Sequence, residues 1–452
     1  MREIVAKTTK TGLATKRILC GFFLFLTPSF AAAQGSGALR LSLEDAQRRA
    51  EAASHRLAEG RAREAAAEGA TAIREAADRP IVAVAGGYTR TNHVTEFVVP
   101  GPAGVPRVLY PDVPDNYRTR LDLQWPIYNG GRSDALERAA RAEASAATAD
   151  LAVAQADLRL EVARAFWALV TARATVTVLE QSLTRAQAYL DTARERFRAG
   201  LVPPNEVASA EALESRQRML LIEARNQQEL SSAALARLVS VDLLQPIEPS
   251  DVLDAPPAAA APLDGLVAQA RATRDERRAL EGRVEAADSQ RAAADSSKRP
   301  AVAVTGGVDY ARPNPRIFPR ANRWDDSWDA GVTVAWSLWD GGRARADALQ
   351  ASGMATAARE RLLEFDSALG LEVHQRVLEI DSGRAAIAAA GDAVRAATEA
   401  RRVVAARYQA GVAIQIEVLD AEVALLQAEL DRTRAMAGCR LAVARLARAH
   451  GR

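Results

Sequence analysis

Lysine is almost absent from this 452-residue chain, and aromatic residues make up only 5% of it. Beyond residue 16 the single lysine is Lys298, so arginine carries nearly all of the basic charge. Lys and Arg together number 59, against 57 Asp and Glu, and this balance predicts no nucleic-acid surface. With 48% hydrophobic and 26% charged residues, the composition excludes both a disordered chain and a bundle of membrane helices.

Residues 1–33 have the pattern of an export signal. A basic start is followed by the apolar run ILCGFFLFL and by the small residues AAAQ. We expect cleavage after Ala33, with Ala31 as the nearest alternative. Removing the segment takes away more basic than acidic charge, so the mature chain is not basic. The basic start consists of Arg2, Lys7, Lys10, Lys16 and Arg17.

Cysteine is also scarce, with only Cys20 and Cys439 in the chain. Cys20 lies inside the signal and follows Leu19, whereas a lipid-attachment site needs a small residue there. A single remaining thiol cannot form an internal disulfide, so the fold does not depend on an oxidising compartment. Later segments fall short of the roughly 18 consecutive apolar residues that a membrane helix needs.

An eight-residue motif occurs twice. The stretch WPIYNGGR at 125–132 recurs as WSLWDGGR at 336–343, a separation of 211 residues. Upstream, RPIVAVAGG at 79–87 recurs as RPAVAVTGG at 299–307, a separation of 220 residues. The chain is therefore two copies of one unit. The first copy is longer between Pro80 and Trp125, where the stretch VVPGPAGVPRVLYPDVPD is rich in proline and glycine.

Two segments alternate between apolar and polar residues, which predicts strands with one oily face. They are 117–127 in the first copy and 328–338 in the second, and each is 11 residues long. A strand that spans a membrane in a barrel has about 9 to 11 residues. A strand of a soluble β-sandwich alternates in the same way, so alternation alone leaves that alternative open.

A very long segment without helix breakers follows each pair of strands. No glycine or proline occurs in 133–199, and no proline occurs in 344–410. At about 1.5 Å per residue, each helix would be on the order of 100 Å long. Charged residues are interspersed throughout, so we expect these helices to stand in water. A seven-residue apolar period predicts left-handed supercoiling against neighbours, and the many alanines suit the staves of a hollow cylinder. The period comprises Val162, Leu169, Val176, Leu183, Leu190 and Phe197.

The predicted fold class is mixed α+β, predominantly α, with two tandem structural repeats. A Pro-rich crossover at 245–263 separates repeat 1, residues 34–244, from repeat 2, residues 264–452. Repeat 1 is predicted to comprise helix 43–77, strands at about 80–95 and 117–127, long helix 133–199, tip turn 200–204 and return helix 205–240. The corresponding segments of repeat 2 are helix 265–295, strands at about 300–311 and 328–338, long helix 344–410, tip turn 411–415 and return helix 416–449.

This organisation resembles the TolC-like family of outer-membrane efflux ducts, and the likeness covers essentially the whole mature chain. The motifs that carry it are LSLEDA from Leu41, the paired exits WPIYNGGR and WSLWDGGR, and the paired turns RFRAGLVPPNEV from Arg196 and RYQAGVAIQIEVLDAE from Arg407. Each motif is weak alone, but their order, duplication and spacing are specific together.

The resemblance implies a homotrimer in the outer membrane of a Gram-negative envelope. Each protomer would give four strands to one 12-stranded transmembrane β-barrel, and coiled-coil helices would continue it as a periplasmic α-barrel. The residues independently favour oligomerisation, because four strands cannot close a barrel and open strand edges are not tolerated in lipid. The number three comes from the family alone.

The turns at the ends of the long helices are the first candidate site. In the family they form the periplasmic tip, which meets a periplasmic adaptor protein or an inner-membrane pump. The glycines have a second interpretation, since glycine commonly ends a helix in the left-handed conformation, and both interpretations can hold. The residues at these positions are Gly200, Leu201 and Val202, and Gly411, Val412 and Ala413.

Acidic residues close to these turns are the second candidate site. The resemblance implies that Glu417 and Asp420 narrow the aperture at the tip, and the first copy offers Glu206 at a similar place. Carboxylates repeated by symmetry would ring the opening and favour cations. The alternative is that all three simply stabilise helix N-termini.

The strands supply the third set of candidates. Polar residues on one face would line the barrel lumen: Arg118, Arg120, Asp122 and Gln124. Apolar residues on the other face would contact lipid: Leu121, Leu123, Trp125, Ile127, Trp328, Val332, Val334, Trp336 and Leu338. Trp125 and Trp336 have an alternative role as core residues where the barrel joins the tunnel.

Features of an enzyme are weak in this sequence. The four histidines, at 55, 93, 374 and 450, are scattered and lack partners at a ligand spacing, and no lysine with Ser or Thr follows the Gly-Gly pairs. We therefore expect no catalytic residue, metal or cofactor. The sequence predicts a passive exit duct of a tripartite efflux pump or type I secretion system, energised by an inner-membrane partner. A structural coiled-coil protein of the envelope, without a channel, is the alternative. The cargo and any role of the extracellular loop 93–115 stay open.

Overall fold

The computed structural model describes residues 38–253 and 256–451. The predicted signal peptide, residues 1–33, lies outside the described residues, as do residues 254 and 255 of the crossover.

The first half of the chain contains two short helices, five strands and two long helices in sequence. In chain order they are β1 (Leu39–Leu41), α1 (Leu43–Ala53), α2 (His55–Ala76), β2 (Ile81–Arg90), β3 (Phe97–Pro100), β4 (Pro106–Tyr110), β5 (Asp115–Tyr128), α3 (Arg132–Arg198) and α4 (Pro204–Leu238). The second half repeats this order without the β3–β4 hairpin. Its elements are β6 (Ile247–Pro249), α5 (Leu263–Thr273), α6 (Asp275–Asp295), β7 (Ala301–Arg312), β8 (Asp325–Ala335), α7 (Arg343–Gln409) and α8 (Gln415–Ala449).

Four long strands form one antiparallel sheet in the order β2-β5-β7-β8. The register keeps apolar residues together, since Leu121 lies opposite Val84 on one side and Val308 on the other. Among the described residues, β2 and β8 each have a single neighbouring strand, so the sheet has two open edges.

Two of the strands end earlier than the sequence suggested. The strand predicted at 80–95 ends at Arg90, because its partner β5 begins at Asp115 directly after a proline. The strand predicted at 328–338 begins at Asp325 and ends at Ala335, which pairs with Ala301, the first residue of β7. The prediction that Trp336 and Leu338 lie on this strand was therefore wrong, since the ladder to β7 ends at Ala335 and no other described strand pairs with these residues.

Each helix that leads into the sheet is broken, whereas the sequence predicted continuous helices over 43–77 and 265–295. The break in the first repeat is Ser54 and the break in the second is Arg274, 220 residues later. Both residues have extended backbone, with ψ of 116° and 120°. The Ser54 hydroxyl accepts a hydrogen bond from the Leu57 amide and starts α2. The Arg274 guanidinium instead donates to the last carbonyls of α8, those of Arg448 and Ala449.

The helices form a layer four elements wide that continues the order of the strands. Next to the sheet, α2 packs on α3, α3 on α6 and α6 on α7. Further away, α4 packs on α3, α3 on α8 and α8 on α7. Next to the sheet, the layer ends in α2, which precedes the edge strand β2, and in α7, which follows the edge strand β8. The sheet and the helix layer therefore share the same two open edges.

The apolar core lies where the short helices meet the long ones. Residues separated by 211 positions are buried in both halves: Val162 and Val373, and likewise Leu169 and Ile380. Val162 and Leu169 belong to the seven-residue period predicted from the sequence, and Val373 and Ile380 are their counterparts in the second repeat. Beside this core the short parallel pair β1–β6 links residues 39–41 to the crossover, a pairing that the sequence did not predict.

The helix α3 contains an 18-residue window that is long and apolar enough to cross a membrane by length and composition alone. Half of that window is buried within the protein. The helices α1, α2, α4, α6 and α8 all pack on α3, so its apolar character is explained by packing on several helices at once.

Candidate functional site

The repeated octapeptide is a turn that converts a strand into a long helix. Gly130 and Gly131 have φ of 71° and 82°, and the equivalent Gly341 and Gly342 have φ of 70° and 90°. Two successive left-handed residues are costly for any residue with a Cβ atom, which accounts for the Gly-Gly pair. The first Gly-Gly turn connects the end of β5 to the start of α3. The second connects the segment after β8 to the start of α7.

The residue before each Gly-Gly pair caps the helix that follows. The Asn129 Oδ1 atom accepts a hydrogen bond of 3.1 Å from the Ser133 amide. The Asp340 carboxylate accepts bonds of 2.7 Å from Ala344 N and 2.9 Å from Gly342 N. These two amide donors lower the pKa of Asp340 below its ordinary value. This role was not predicted from the sequence, although the repeated Asn/Asp position is a recognisable helix start.

The two repeated tryptophans form equivalent hydrogen bonds at the junction of strands and helices in each half. The Trp125 indole Nε1 atom donates a 3.1 Å hydrogen bond to the Asp78 carbonyl, and the Trp336 Nε1 atom donates one of 3.1 Å to the Lys298 carbonyl. Asp78 and Lys298 lie just before β2 and β7. These bonds give both tryptophans a role at the junction of strands and helices. Trp125 lies in addition on the oily face of β5.

The oily face of the sheet is uncovered in the protomer. Val84 is 71% exposed, Trp328 74% and Val332 68%. Large apolar side chains at such exposure are unfavourable in water, and their contiguity marks a surface that something apolar must cover. The predicted face residues on β5 and β8 are also exposed, to between 37% and 64%: Leu121, Leu123, Trp125, Ile127 and Val334.

The polar face of the sheet carries a network of ion pairs. Arg120 contacts three carboxylates, those of Asp122, Asp309 and Asp329, and Arg118 also contacts Asp309. The Asp309 side chain is only 2% exposed because the two guanidiniums cover it. The alternation on β5 predicted the arginines, but Asp309 and Asp329 depend on the strand register. Gln124 lies further along the same face, opposite Thr305.

The two turns at the far ends of the long helices have the same construction. Gly200 has φ of 69°, its amide donates to the Phe197 carbonyl, and the Leu201 amide donates to the Arg196 carbonyl. In the second turn Gly411 has φ of 75°, and the amides of Gly411 and Val412 donate to Tyr408 and Arg407. This pair of bonds is the Schellman motif, which requires the left-handed residue.

The surfaces of the two turns differ in detail. Leu201 is 72% exposed and Val412 is 68% exposed, while Val202 is partly covered. Ala413 is buried under the second turn, where it packs with Tyr408 and Val418. The helix after the first turn begins with Pro204, whereas the helix after the second begins with Gln415.

A polar link joins the two turns. Tyr408 donates a 2.9 Å hydrogen bond to the Glu206 carboxylate, and the Gln415 side chain donates to the Glu206 carbonyl. The Arg196 guanidinium lies over the Tyr408 ring, 4.6 Å from its centroid. Burial and the neighbouring Tyr408 raise the pKa of Tyr189, which packs against the same ring.

The other two acidic candidates lie in different surroundings. Glu417 forms an ion pair of 3.3 Å with Arg407 and accepts a hydrogen bond from the Ile414 amide, so it stabilises the start of α8. Asp420 is exposed and forms no ion pair or hydrogen bond with another described residue. The structure thus brings Glu206 into the link between the turns and leaves Asp420 facing solvent.

Comparison with known proteins agrees with this architecture. The sequence profile of the outer membrane efflux protein family matches residues 46–240 and 266–452, one match in each repeat. The chain belongs to the outer membrane efflux protein family. The fold is similar to that of the outer membrane protein VceC from Vibrio cholerae, with a TM-score of 0.77 over 90% of this chain and 96% of VceC at 22% identity.

Two further relatives extend the comparison with this efflux protein. The CmeC outer membrane channel of Campylobacter jejuni gives a TM-score of 0.78 over 90% of this chain and 85% of that channel, at 15% identity. Protein CyaE of Bordetella pertussis is 29% identical over 127 residues, which are 28% of this chain and 27% of CyaE. The match therefore spans about a quarter of the length of that relative.

The family assignment confirms the predicted class of function and location. The efflux protein is an exit channel of the outer membrane that extends into the periplasm, and its family and fold are those of channels and not of enzymes. Members of the family are trimeric channels that work with adaptor and pump partners. Within residues 38–253 and 256–451, no group of three His, Cys, Asp or Glu side chains is arranged to hold a metal ion.

Proposed function

We propose that three copies of this chain close their open edges into one tube that conducts substrates passively from the periplasm to the exterior. Strand β8 of one copy pairs with β2 of the next, and α7 packs on the next copy's α2 and α4. Because four antiparallel strands alternate in direction, β8 and β2 have opposite directions and can pair as antiparallel neighbours. Twelve strands then close without an edge, as lipid requires.

The observation that carries this proposal is the coincidence of the open edges in the sheet and in the helix layer. The edge helix α7 exposes a row of leucines that no other described element covers. Leu349 is 75% exposed, Leu363 60% and Leu371 62%. A partner that covers this row must also pair with β8, and a second copy of the chain offers both surfaces at once.

The two faces of the sheet support a lipid-facing exterior and a water-filled interior. The oily face around Val84 and Trp328 suits the hydrocarbon of the outer membrane, and the ion pairs around Arg120 suit a polar lumen. A rod of coiled coils without a channel gives no reason for an exposed oily sheet. The duct has no energy source of its own, so an inner-membrane pump supplies it.

The tip turns are the surface we assign to a periplasmic adaptor protein or the pump. Exposed residues Leu201 and Val412 supply apolar contact area beside Gly200 and Gly411. Ala413 supports the second turn from inside. Within the same tip, Glu206, Glu417 and Asp420 are the acidic residues that would ring the aperture. Asp420 is the best suited to act on passing ions because solvent reaches it.

Cross-linking between strands tests the closed ring. In a Cys439→Ala background, Val334→Cys on β8 is combined with a cysteine at each position of β2 in turn, and outer-membrane vesicles are oxidised. We expect one register to give a ladder that ends at three linked chains. The matched control, Val84→Cys with Leu121→Cys, joins two strands of one chain and gives no ladder. A ladder that ends at two or four chains, or none in any register, contradicts the proposal.

A further inference from the structure

We infer that the connection between β7 and β8, residues 313–324, folds inward across the polar face of the sheet and narrows the extracellular mouth of the duct. We call these residues the rim loop. The inference rests on the proposed function, because the polar face becomes a lumen only when the barrel closes. The rim loop lies at the end of the strands opposite the helices, and therefore on the outer side of the membrane.

One end of the rim loop is fixed to the polar face of β8. The Arg316 guanidinium lies 2.7 Å from the Asp329 carboxylate and donates a 2.9 Å hydrogen bond to the Trp328 carbonyl. Asp329 belongs to the same network as Arg120, so its side chain points to the polar side. Arg316 can reach it only if the rim loop bends towards that side.

A buried asparagine determines the direction of this bend. Asn314 is 2% exposed. Its side-chain amide donates bonds of 3.0 Å to the Asp325 carbonyl and to the Ser327 hydroxyl, and its carbonyl oxygen accepts from the Arg316 amide. Ser327 lies opposite Asp309 on the polar face. These hydrogen bonds pair both the amide nitrogen and the carbonyl oxygen of the buried Asn314 side chain, and they hold the rim loop towards the polar face.

The rim loop also reaches across to the first repeat. The Arg320 side chain donates a 2.6 Å hydrogen bond to the Asn116 amide oxygen on β5, and the Arg320 amide donates to the Leu109 carbonyl on β4. Its guanidinium lies 5.1 Å from the centroid of the Tyr110 ring. The loop of the second repeat thus holds the β3–β4 hairpin, the extra length in the first repeat.

The rim loop stands away from the strands that it crosses. A cavity of about 520 Å³ separates it from the polar face, and Pro313, Pro315 and Arg320 form the roof over Arg118 and Thr89. At its end the loop passes over the rim, where Trp324 stacks on Tyr310 of the oily face at 4.9 Å. A loop that merely extended the barrel wall would leave no roofed cavity on the polar side.

Threefold repetition would place three such roofs around the mouth. The ion pair between Arg316 and Asp329 is partly exposed, with side-chain exposures of 42% and 33%, so salt screens it. The constriction is therefore held by contacts that salt or substitution loosens. Its width should limit how fast large solutes enter the lumen from outside.

The test measures entry of thiol reagents from the extracellular side. In a Cys439→Ala background, Gln124→Cys places a reporter on the polar face below the rim loop, and intact cells are treated with a small and a bulky membrane-impermeant maleimide. We expect Arg316→Ala/Arg320→Ala to raise the labelling rate with the bulky reagent about threefold and to leave the small reagent unaffected. Arg323→Ala, which removes an exposed charge of the same loop paired with Asp325, should leave both rates unchanged.

Two controls separate the possible failures. A cysteine at Val105, 67% exposed on the β3–β4 hairpin, reports that the chain is at the cell surface. Suppose that the cysteine at Val105 is labelled while the reporter at Gln124 is labelled by neither reagent. That result would contradict the duct itself. If the bulky reagent labels the reporter at the same rate with the wild-type loop and with the double variant, the rim loop does not constrict the mouth. If the double variant fails to assemble, the reporter is tested beneath the native rim loop at raised salt. Labelling of the reporter by the bulky reagent must then increase, and an unchanged rate overturns the inference.

Discussion

Tyr408, near the end of the second long helix, donates a 2.9 Å hydrogen bond to Glu206, at the start of the first return helix. This bond joins the tips of the two repeats within one protomer. The equivalent residue of the first repeat is Phe197, which has no hydroxyl and is 46% exposed. The two repeats are therefore not interchangeable at the tip, and only the second supplies the hydroxyl donor of the link.

Removing this hydroxyl should loosen the tip. In Tyr408→Phe, the Glu206 carboxylate loses a donor, and we expect longer and more frequent open states in planar-bilayer recordings. Phe197→Leu is the matched control at the equivalent position and should leave the open probability unchanged. Equal open probability in Tyr408→Phe and the wild type would show that the link does not limit opening.

A bulky residue at the second tip turn should abolish export without preventing assembly. Gly411 is left-handed, with φ of 75°, so Gly411→Trp strains the turn and obstructs the surface that we assign to the adaptor. Gly411→Asn is the control, since asparagine tolerates the left-handed conformation. Export is measured in cells alongside the amount of trimer in the membrane. Normal export by Gly411→Trp would contradict the assigned surface.

Charges should be tolerated on one face of β8 and not on the other. Val332 lies on the oily face and the adjacent Thr333 on the polar face. Val332→Arg should destabilise the protein in lipid by about 2–4 kcal/mol, whereas Thr333→Arg should cost little. The two are compared by the temperature at which the assembled protein dissociates in detergent-lipid micelles. Equal losses would mean that the oily face does not contact lipid.

The ion-pair network on the polar face should contribute to the stability of the barrel. Arg120→Ala leaves the carboxylate of Asp309, whose side chain is 2% exposed, without one of its two guanidinium partners. Because Arg118 still pairs with Asp309 and the loss of Arg120 opens this carboxylate to solvent, we expect a loss of about 1–3 kcal/mol. Gln124→Ala, on the same face and outside the ion-pair network, is the control. Dissociation at the same temperature in both variants would contradict this role for Arg120.

The helix break at Arg274 should make stability depend on pH. Burial raises the pKa of Glu276, but Arg448 and Arg274 outweigh it, so the pKa lies below its ordinary value of 4.5. A depressed pKa gives stability that is present above 4.5 and lost as pH falls through the folded value. Glu276→Gln should lower the free energy of unfolding by about 1–3 kcal/mol at pH 7, and the difference should shrink in acid.

The exposed pair of Arg277 and Glu281 is the reference for that experiment. Glu281 is 47% exposed, so Glu281→Gln should have an effect below about 1 kcal/mol. Urea unfolding is followed at pH 7 and again below pH 4.5 for both variants. A difference for Glu276→Gln that stays constant with pH would show that the Glu276 charge does not stabilise the break.

Local patterns predicted the repeats, the faces of the strands and the long helices, because each depends on a period or a duplicated motif. The helix breaks at Ser54 and Arg274 were not predicted, because neither a period nor a duplicated motif marks them. Arg274 carries no local stop signal, and its extended backbone is explained by contacts with the end of α8, which is distant in sequence. The early end of β8 likewise depends on where β7 begins.

The candidate sites divide in the same way. Glycines at the tips follow from turn chemistry, and Arg118 and Arg120 follow from alternation. Their partner Asp309 is set by the register between β5 and β7. The link from Tyr408 to Glu206 joins residues 202 positions apart, so no local pattern contains it.

The proposed function requires this chain to form a conducting tube through the outer membrane. Its most direct test is planar-bilayer conductance of the purified, signal-cleaved protein, with the oligomeric mass in detergent determined on the same sample. We expect a trimer that conducts ions in discrete steps. A water-soluble species without conductance would contradict it, because the strands would then not enter lipid.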